Sequence, residues 1–102
     1  MSATQRYRSV LRPGLFAGMV ALVTGGGSGI GRCTAHELAA LGARLALIGR
    51  KIDKLDAVRT EIAAAGGDAA CWACDIREED RVRDTVAAVL AHFGRIDHLV
   101  NN

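Results

Sequence analysis

The sequence predicts an α/β fold with a doubly wound parallel sheet, and three observations lead to that class. From Met19 onward, short apolar runs alternate with segments of helical spacing in the order β-α-β-α-β-α-β. Strands joined by helices run parallel, and right-handed crossovers restrict such a chain to a barrel or a doubly wound sheet. A glycine-rich loop follows the first strand, where doubly wound sheets bind nucleotides. We therefore expect the strand order 3-2-1-4.

Each predicted strand is a short run that is apolar on both faces, which is typical of buried strands in a parallel sheet. The runs are MVALVT (19–24), RLALIG (44–49), AACWAC (69–74) and IDHLVNN (96–102). The sequence ends inside the fourth run. We therefore expect a partial sheet, truncated after the fourth strand, from the N-terminal part of a longer protein.

Three segments between the strands have the apolar spacing of amphipathic helices. The first runs from about Ile30 to Leu41 and is ended by Gly42. The apolar positions of the second are Ile52, Leu55, Val58 and Ile62, and those of the third are Val82, Val86, Val89, Leu90 and Phe93. Acidic residues 78–80 stand where the first turn of the third helix would favour negative charge.

The composition is that of one small globular domain, with 50% apolar residues in a chain of 102. A net charge of +2 is too small to indicate binding to nucleic acid or to a membrane surface. Residues 1–18 contain three arginines and no acid, so we expect an N-terminal arm there and the dinucleotide-binding part at 19–102. The arm lacks the pattern of a secretory signal, and we expect a cytoplasmic protein.

The cysteines at 33, 71 and 74 do not predict a metal or redox site. Cys71 and Cys74 form a C-x-x-C pair, but residues three apart on a strand point to opposite faces of the sheet. A second pair with the spacing of zinc ligands is also missing from the sequence. We expect three buried thiols in a reducing compartment.

The loop VTGGGSGIGR has the chemistry of a phosphate-binding turn. Gly25, Gly29 and Gly31 are the spaced glycines, and without side chains they let a pyrophosphate approach the main chain. Gly31 would also let the following helix pack closely on the sheet. The first amides of that helix lack partners within it, and Ser28 can add a hydroxyl donor.

The glycine spacing is G-x-x-x-G-x-G, which differs from the G-x-G-x-x-G of the common dinucleotide fingerprint. With Val-Thr before it and Ile-Gly-Arg around its last glycine, the loop resembles the T-G-x-x-x-G-x-G signature of the short-chain dehydrogenase/reductase family. The resemblance implies a Rossmann fold and a nicotinamide cofactor. It also implies cofactor contacts from the loop residues Gly25, Gly27, Ser28, Gly29, Ile30 and Gly31.

The end of the second strand predicts which nicotinamide cofactor is bound. Folds that bind NAD usually carry an acid there for the ribose hydroxyls, whereas this chain has Gly49, Arg50 and Lys51. A carboxylate would repel the additional phosphate of NADP, and a guanidinium can pair with it through two hydrogen bonds. Arg50 therefore predicts NADP rather than NAD, while Lys51 is expected to be a solvated surface lysine.

Two later landmarks extend the resemblance over residues 19–102. In the family, an Asp after the third strand contacts the adenine ring, and Asp75 in CDIRE matches that position with Ile76 beside it. The fourth strand of the family ends in Asn-Asn-Ala-Gly, where the first Asn supports the sheet and the cofactor. Here LVNN supplies Asn101, which we expect on the cofactor side of the sheet.

No catalytic residue is assigned in this chain. The family uses a Tyr with a Lys four residues later, a Ser and a further Asn, whereas the single tyrosine, Tyr7, is followed four places on by Leu11. The histidines are expected to be structural, with His36 and His92 exposed on helices and His98 within a strand.

Upstream of the loop, RSVLRPGLFAGMVALVTGGGSGIG resembles the start of trans-2-enoyl-CoA and 2,4-dienoyl-CoA reductases. This implies an NADP-dependent reductase of an acyl-CoA or carbonyl compound, homo-oligomeric at full length. The alternatives are a 3-oxoacyl or alcohol/ketone reductase, and a non-catalytic nucleotide-binding fragment. A methyltransferase, which also has a glycine loop, would normally carry an acid where this chain has Arg50.

Overall fold

The computed structural model describes residues 9–102 and arranges them in the predicted order of strands and helices. The first part of the predicted arm, with Tyr7, lies outside these residues. The elements are β1 (Val20–Thr24), α1 (Gly29–Ala40), β2 (Arg44–Gly49), α2 (Ile52–Ala64), β3 (Asp68–Ala73), α3 (Glu79–Phe93) and β4 (His98–Val100). None of the helices in this described range has the length and apolar character needed to cross a bilayer.

The four strands form one parallel sheet in the order β3-β2-β1-β4, which confirms the prediction. Strand β1 is central, since Leu22 pairs with Ala46 of β2 on one side and with Leu99 of β4 on the other. The chain therefore reverses its direction of winding between β1 and β4. The loop that leaves β1 opens at this switch point.

Two apolar layers hold the helices on opposite faces of the sheet. Alternate residues of β1 and β2, including Val23 and Leu45, pack with the buried stripe of α2 and with Ala35 of α1. The other residues of these strands, including Leu22, pack with Val89 and Phe93 of α3. Burying one such Leu, Val or Phe side chain contributes about 1.5–3 kcal/mol, so the two layers position the sheet against its helices.

The prediction that all four strands are buried on both faces is wrong for the outer two. Strand β3 is half-buried along its central residues, and in β4 His98 and Leu99 are exposed, the latter by 66%. Each of these strands pairs with a neighbour on one edge within the described residues. An apolar run on both faces is therefore a poor guide to burial at the edge of a sheet.

The cysteine geometry is as predicted, but burial of the thiols is not. Cys71 and Cys74 pack into the two opposite apolar layers. Cys74 is buried and Cys71 half-buried, whereas Cys33 is exposed on α1.

The expectation that His36 is exposed is also wrong: its ring is buried, with Nε2 3.1 Å from Oε1 of Glu61 on α2. A tertiary contact between two helices decides that position.

The amino end of the sheet is closed by a carboxylate just before β4. Oδ2 of Asp97 accepts a hydrogen bond from the main-chain N–H of Val20 at 2.8 Å, and the main-chain N–H of Asp97 donates to the carbonyl of Val20 at 2.8 Å. Arg95 holds the same carboxylate through Nε at 2.8 Å and Nη2 at 2.6 Å. Arg95 and the Val20 N–H together lower the pKa of Asp97.

Candidate functional site

The glycine loop between β1 and α1 has a backbone that other residues would distort. Gly25 and Gly29 have φ angles of 63° and 58°, in the left-handed region that favours glycine. Gly31 is buried, and a Cβ there would lie 2.1 Å from the carbonyl oxygen of Gly25. The first turn of α1 thus packs directly on the loop, which leaves no room for a side chain between them.

The amino end of α1 is open to an anion. Ser28 is the N-cap residue and has extended backbone angles, and within the described chain its hydroxyl forms no capping hydrogen bond to the helix. The first main-chain amide that bonds back into the turn is that of Arg32, which donates to the Ser28 carbonyl at 3.2 Å. The earlier amides and the Ser28 hydroxyl are the donors that a phosphate group requires.

A cleft of about 370 Å³ opens along the carboxyl ends of the strands, and we call it the nucleotide cleft. The loop residue Gly25 borders it on the β1 side, and Arg50 borders it after β2. Asp75, Ile76 and Arg77 border it after β3. The strand order therefore brings together residues that are 25 or more positions apart in the sequence.

A second cleft of about 260 Å³ adjoins the glycine loop and is strongly basic. Gly27 and Ser28 line one side, and Arg50, Lys51 and Lys54 line the other. No acid is found among the residues that line it in the described chain. We call this the basic cleft, and the positive charge of its three cations favours an anion.

Asp75 is an ionised acceptor at the edge of the nucleotide cleft. Nε of Arg77 donates to Oδ1 at 3.0 Å, and Nη2 donates to Oδ2 at 2.8 Å. The main-chain N–H of Arg77 also donates to Oδ1, at 3.0 Å. The side chain and main chain of Arg77 hold the pKa of Asp75 well below its usual range, and the charge of Arg50 lowers it further.

The two asparagines that end the chain lie in different cavities. Asn102 lines the nucleotide cleft, where its side-chain nitrogen is 3.4 Å from the Gly25 carbonyl oxygen. Asn101 lines an adjoining apolar cavity of about 450 Å³ beside α3, which shares Ile76 with the nucleotide cleft. The Thr24 hydroxyl is 3.4 Å from Oδ1 of Asn101 and accepts the main-chain N–H of Asn102 at 3.0 Å.

The structure places the sequence-predicted site residues in four different surroundings. Around the nucleotide and basic clefts it gathers Gly25, Gly27, Ser28, Arg50, Asp75 and Ile76. Gly29 and Gly31 shape the loop, Asn101 lies in the apolar cavity, and the Ile30 side chain is 76% exposed.

Among the charged and amide side chains that line the clefts, sequence reasoning missed Lys54, Arg77 and Asn102. A signal was present for two of them. Lys54 follows Arg50 by four positions across the start of α2, and Arg77 follows Asp75 by two. Lys51, expected to be only solvated, shares the basic cleft with Arg50 and Lys54.

The chain has a parallel sheet, and its glycine loop opens at the switch point beside the unpaired amides of α1. These features define a Rossmann-type nucleotide-binding fold. A sequence model of the family described as short chain dehydrogenase matches residues 19–102. The chain belongs to this family.

Two solved structures illustrate the likeness. A citronellol catabolism dehydrogenase of Pseudomonas aeruginosa PAO1 is 60% identical with a TM-score of 0.92, over 94% of this chain and 40% of that one. A metagenomic short-chain oxidoreductase in complex with NADP is 48% identical with a TM-score of 0.83, over 85% of this chain and 39% of that one.

Curated relatives match at lower identity. A 2,5-dichloro-2,5-cyclohexadiene-1,4-diol dehydrogenase of Sphingobium indicum is 45% identical over 84% of this chain and 33% of its own length. A peroxisomal 2,4-dienoyl-CoA reductase of Arabidopsis thaliana is 38% identical over 91% of this chain and 31% of its own length. The chain thus spans about a third of the length of the curated relatives it matches.

Proposed function

We propose that this chain is the cofactor-binding portion of an NADP-dependent short-chain oxidoreductase. The observation that carries the proposal is the basic cleft, in which Arg50 follows β2 where an NAD-binding chain would carry an acid, and Lys51 and Lys54 lie beside it. Three cations attract the 2′-phosphate that distinguishes NADP from NAD. An additional phosphate in that cleft would meet no carboxylate on the residues that line it.

The remaining residues fit the other parts of the same cofactor. The Gly25 to Gly31 loop and the first amides of α1 would hold the pyrophosphate, with Ser28 adding a hydroxyl. Asp75 and Ile76 would border the adenine. The family resemblance adds Ile30 and Asn101 to the proposed cofactor contacts. NADPH, when bound, supplies the hydride that the family transfers.

The complete enzyme is proposed to act on a small molecule, reducing an enoyl-CoA-type substrate in the cytoplasm as a homo-oligomer. The likeness to a 2,4-dienoyl-CoA reductase supports this substrate class. A second candidate is an alcohol or ketone substrate. It is supported by the higher identity to the citronellol catabolism and diol dehydrogenases.

Calorimetric titration of the chain with NADP and NAD tests the cofactor proposal. We expect tighter binding of NADP, and Arg50→Ala should weaken NADP binding about 10-fold to 100-fold, because a charge-assisted hydrogen bond contributes about 1.5–3 kcal/mol. NAD binding should change little. Arg59→Ala is the matched control, since Arg59 lies on α2 paired with Asp56 at 3.0 Å. Equal losses for NADP and NAD in Arg50→Ala would contradict the role given to Arg50.

The substrate is tested with the protein made from the complete coding region. NADPH oxidation is followed by absorbance with a 2-enoyl-CoA, a 3-oxoacyl-CoA and a ketone supplied in turn. We expect the highest kcat/KM with the enoyl-CoA. Preference for the 3-oxoacyl-CoA or for the ketone would contradict the enoyl-CoA proposal and favour the alternative, a 3-oxoacyl or alcohol/ketone reductase.

A further inference from the structure

Arg77 is a charged residue of the nucleotide cleft that has no role in the proposed cofactor contacts. It lines the nucleotide cleft two residues after Asp75, and its side chain is 75% exposed, against 25% for Asp75. An ion pair with so exposed a partner contributes little to folding. Its position at the cleft therefore indicates a role in binding.

The hydrogen bonds from Arg77 leave the Asp75 carboxylate with few free acceptor sites. A carboxylate offers about four acceptor sites. Oδ1 accepts the main-chain N–H and the Nε–H, both at 3.0 Å, and Oδ2 accepts Nη2 at 2.8 Å with a longer contact to the same Nε at 3.3 Å. Arg77 thus supplies three N–H donors to a carboxylate with about four acceptor sites, which leaves room on Oδ2 for one further donor beside the cleft.

We propose that Arg77 is a positioning residue for the adenine end of the cofactor: it clamps Asp75 so that one carboxylate acceptor is aimed at the amino group of the base. This rests on the proposed binding of NADP. The guanidinium is planar and rigid, so its two parallel bonds fix both rotation and tilt of the carboxylate. Because the clamp already fixes the carboxylate, its side chain loses no further conformational entropy when the base binds.

The clamp also makes the site selective for the base. Adenine has an amino donor at position 6, whereas hypoxanthine has an oxygen there. A free carboxylate can rotate to another donor, but a clamped one presents its acceptor in one direction. The wild-type chain should therefore prefer NADP to the hypoxanthine analogue of NADP, and the preference should depend on Arg77.

Calorimetric titration of the wild type, Arg77→Ala, Asp75→Ala and the double variant with both nucleotides tests the proposal. We expect Arg77→Ala to weaken NADP binding about tenfold and binding of the hypoxanthine analogue far less, since the coupling acts through Asp75. In the Asp75→Ala background, Arg77→Ala should have no further effect. Arg77→Lys, which keeps the charge but not the planar fork, should restore little.

Arg83→Ala is the matched control, because Arg83 is equally exposed and pairs with Glu79 at 3.0 Å on α3. It should leave both affinities unchanged. A further loss on removing Arg77 when Asp75 is absent, or full rescue by Lys, would overturn the clamp while NADP binding by the wild type stood. A wild-type protein made from the complete coding region that bound neither nucleotide would overturn the proposed function and the clamp together.

Discussion

The chain contains two Asp–Arg pairs of the same local form at opposite ends of the sheet. At the carboxyl end, Asp75 and Arg77 follow β3, and at the amino end, Arg95 and Asp97 precede β4. In both pairs the guanidinium binds the carboxylate through Nε and Nη2. The nearby arginine lowers the pKa of both carboxyl groups.

The pairs differ in the main-chain group that the carboxylate accepts. Asp97 accepts the N–H of Val20, which is 77 positions away and fully buried at the start of β1. Asp75 accepts the N–H of its own neighbour Arg77, and it borders the nucleotide cleft. The same kind of pair thus joins two strands at one end of the sheet and borders the proposed cofactor site at the other. Its surroundings, and not its residue types, decide which.

Gly31→Ala should have the largest effect, because it lies where the binding end and the core meet. The new Cβ would lie 2.1 Å from the Gly25 carbonyl oxygen, so loop or helix must move. Overpacking of this kind costs about 1–3 kcal/mol or more, and we expect about 3 kcal/mol of lost stability with loss of NADP binding. Urea unfolding and calorimetry measure the two effects.

Gly29→Ala is the matched control for that contact. Gly29 has a positive φ but nothing within 4 Å of a Cβ, so only backbone strain of about 1–2 kcal/mol applies. Equal destabilisation by the two substitutions would show that the close contact at Gly31 is not the cause of the lost stability.

Asp97→Ala separates the two ends of the sheet. Loss of the carboxylate leaves the buried Val20 N–H without its acceptor, so this amide should exchange about tenfold faster with solvent and the unfolding midpoint should fall. NADP binding should be retained. Asp75→Ala is the reciprocal variant, which should weaken binding and leave the midpoint unchanged. Hydrogen exchange by NMR measures the opening of the Val20 amide, and calorimetry measures NADP binding. Loss of NADP binding in Asp97→Ala would contradict the separate roles of the two ends.

The sequence predicted the fold more completely than the site, and the two pairs show why. Strand order follows from alternation, parallel connection and one glycine loop, which are all local signals. Asp75 was identified by its place after β3, but the clamp from Arg77 needs side-chain geometry. Helix packing buries His36 against Glu61 and places Lys54 in the same cleft as Arg50. The spacing of apolar residues does not encode that packing.

Thr24→Val should have a smaller effect, spread over both folding and binding. The Thr24 hydroxyl is 3.3 Å from the Val100 carbonyl oxygen, and it accepts the N–H of Asn102, which lines the nucleotide cleft. A valine of the same shape loses these bonds, which should cost about 1 kcal/mol of stability and weaken NADP binding about threefold. Thr60→Val is the control, because the Thr60 hydroxyl bonds to the Asp56 carbonyl on the exposed side of α2. Equal effects of the two changes would contradict the role of Thr24.

The smallest effect is expected at Glu61, which belongs to neither end of the sheet. Hydrogen bonds from Arg32, and then from His36, lower the pKa of Glu61 to about 2 from 4.5, although partial burial opposes the shift. A lowered pKa stabilises the folded chain above the ordinary value, and this stabilisation is lost as the pH falls from about 4.5 through about 2. Glu61→Gln should cost about 0.5–1 kcal/mol at neutral pH, since the pair is partly exposed, and almost nothing near pH 2. Unfolding free energies of wild type and variant across this range should therefore converge in acid. Curves that stay parallel would place the acid sensitivity of the chain elsewhere, with Asp97 at the amino end of the sheet as the next group to remove.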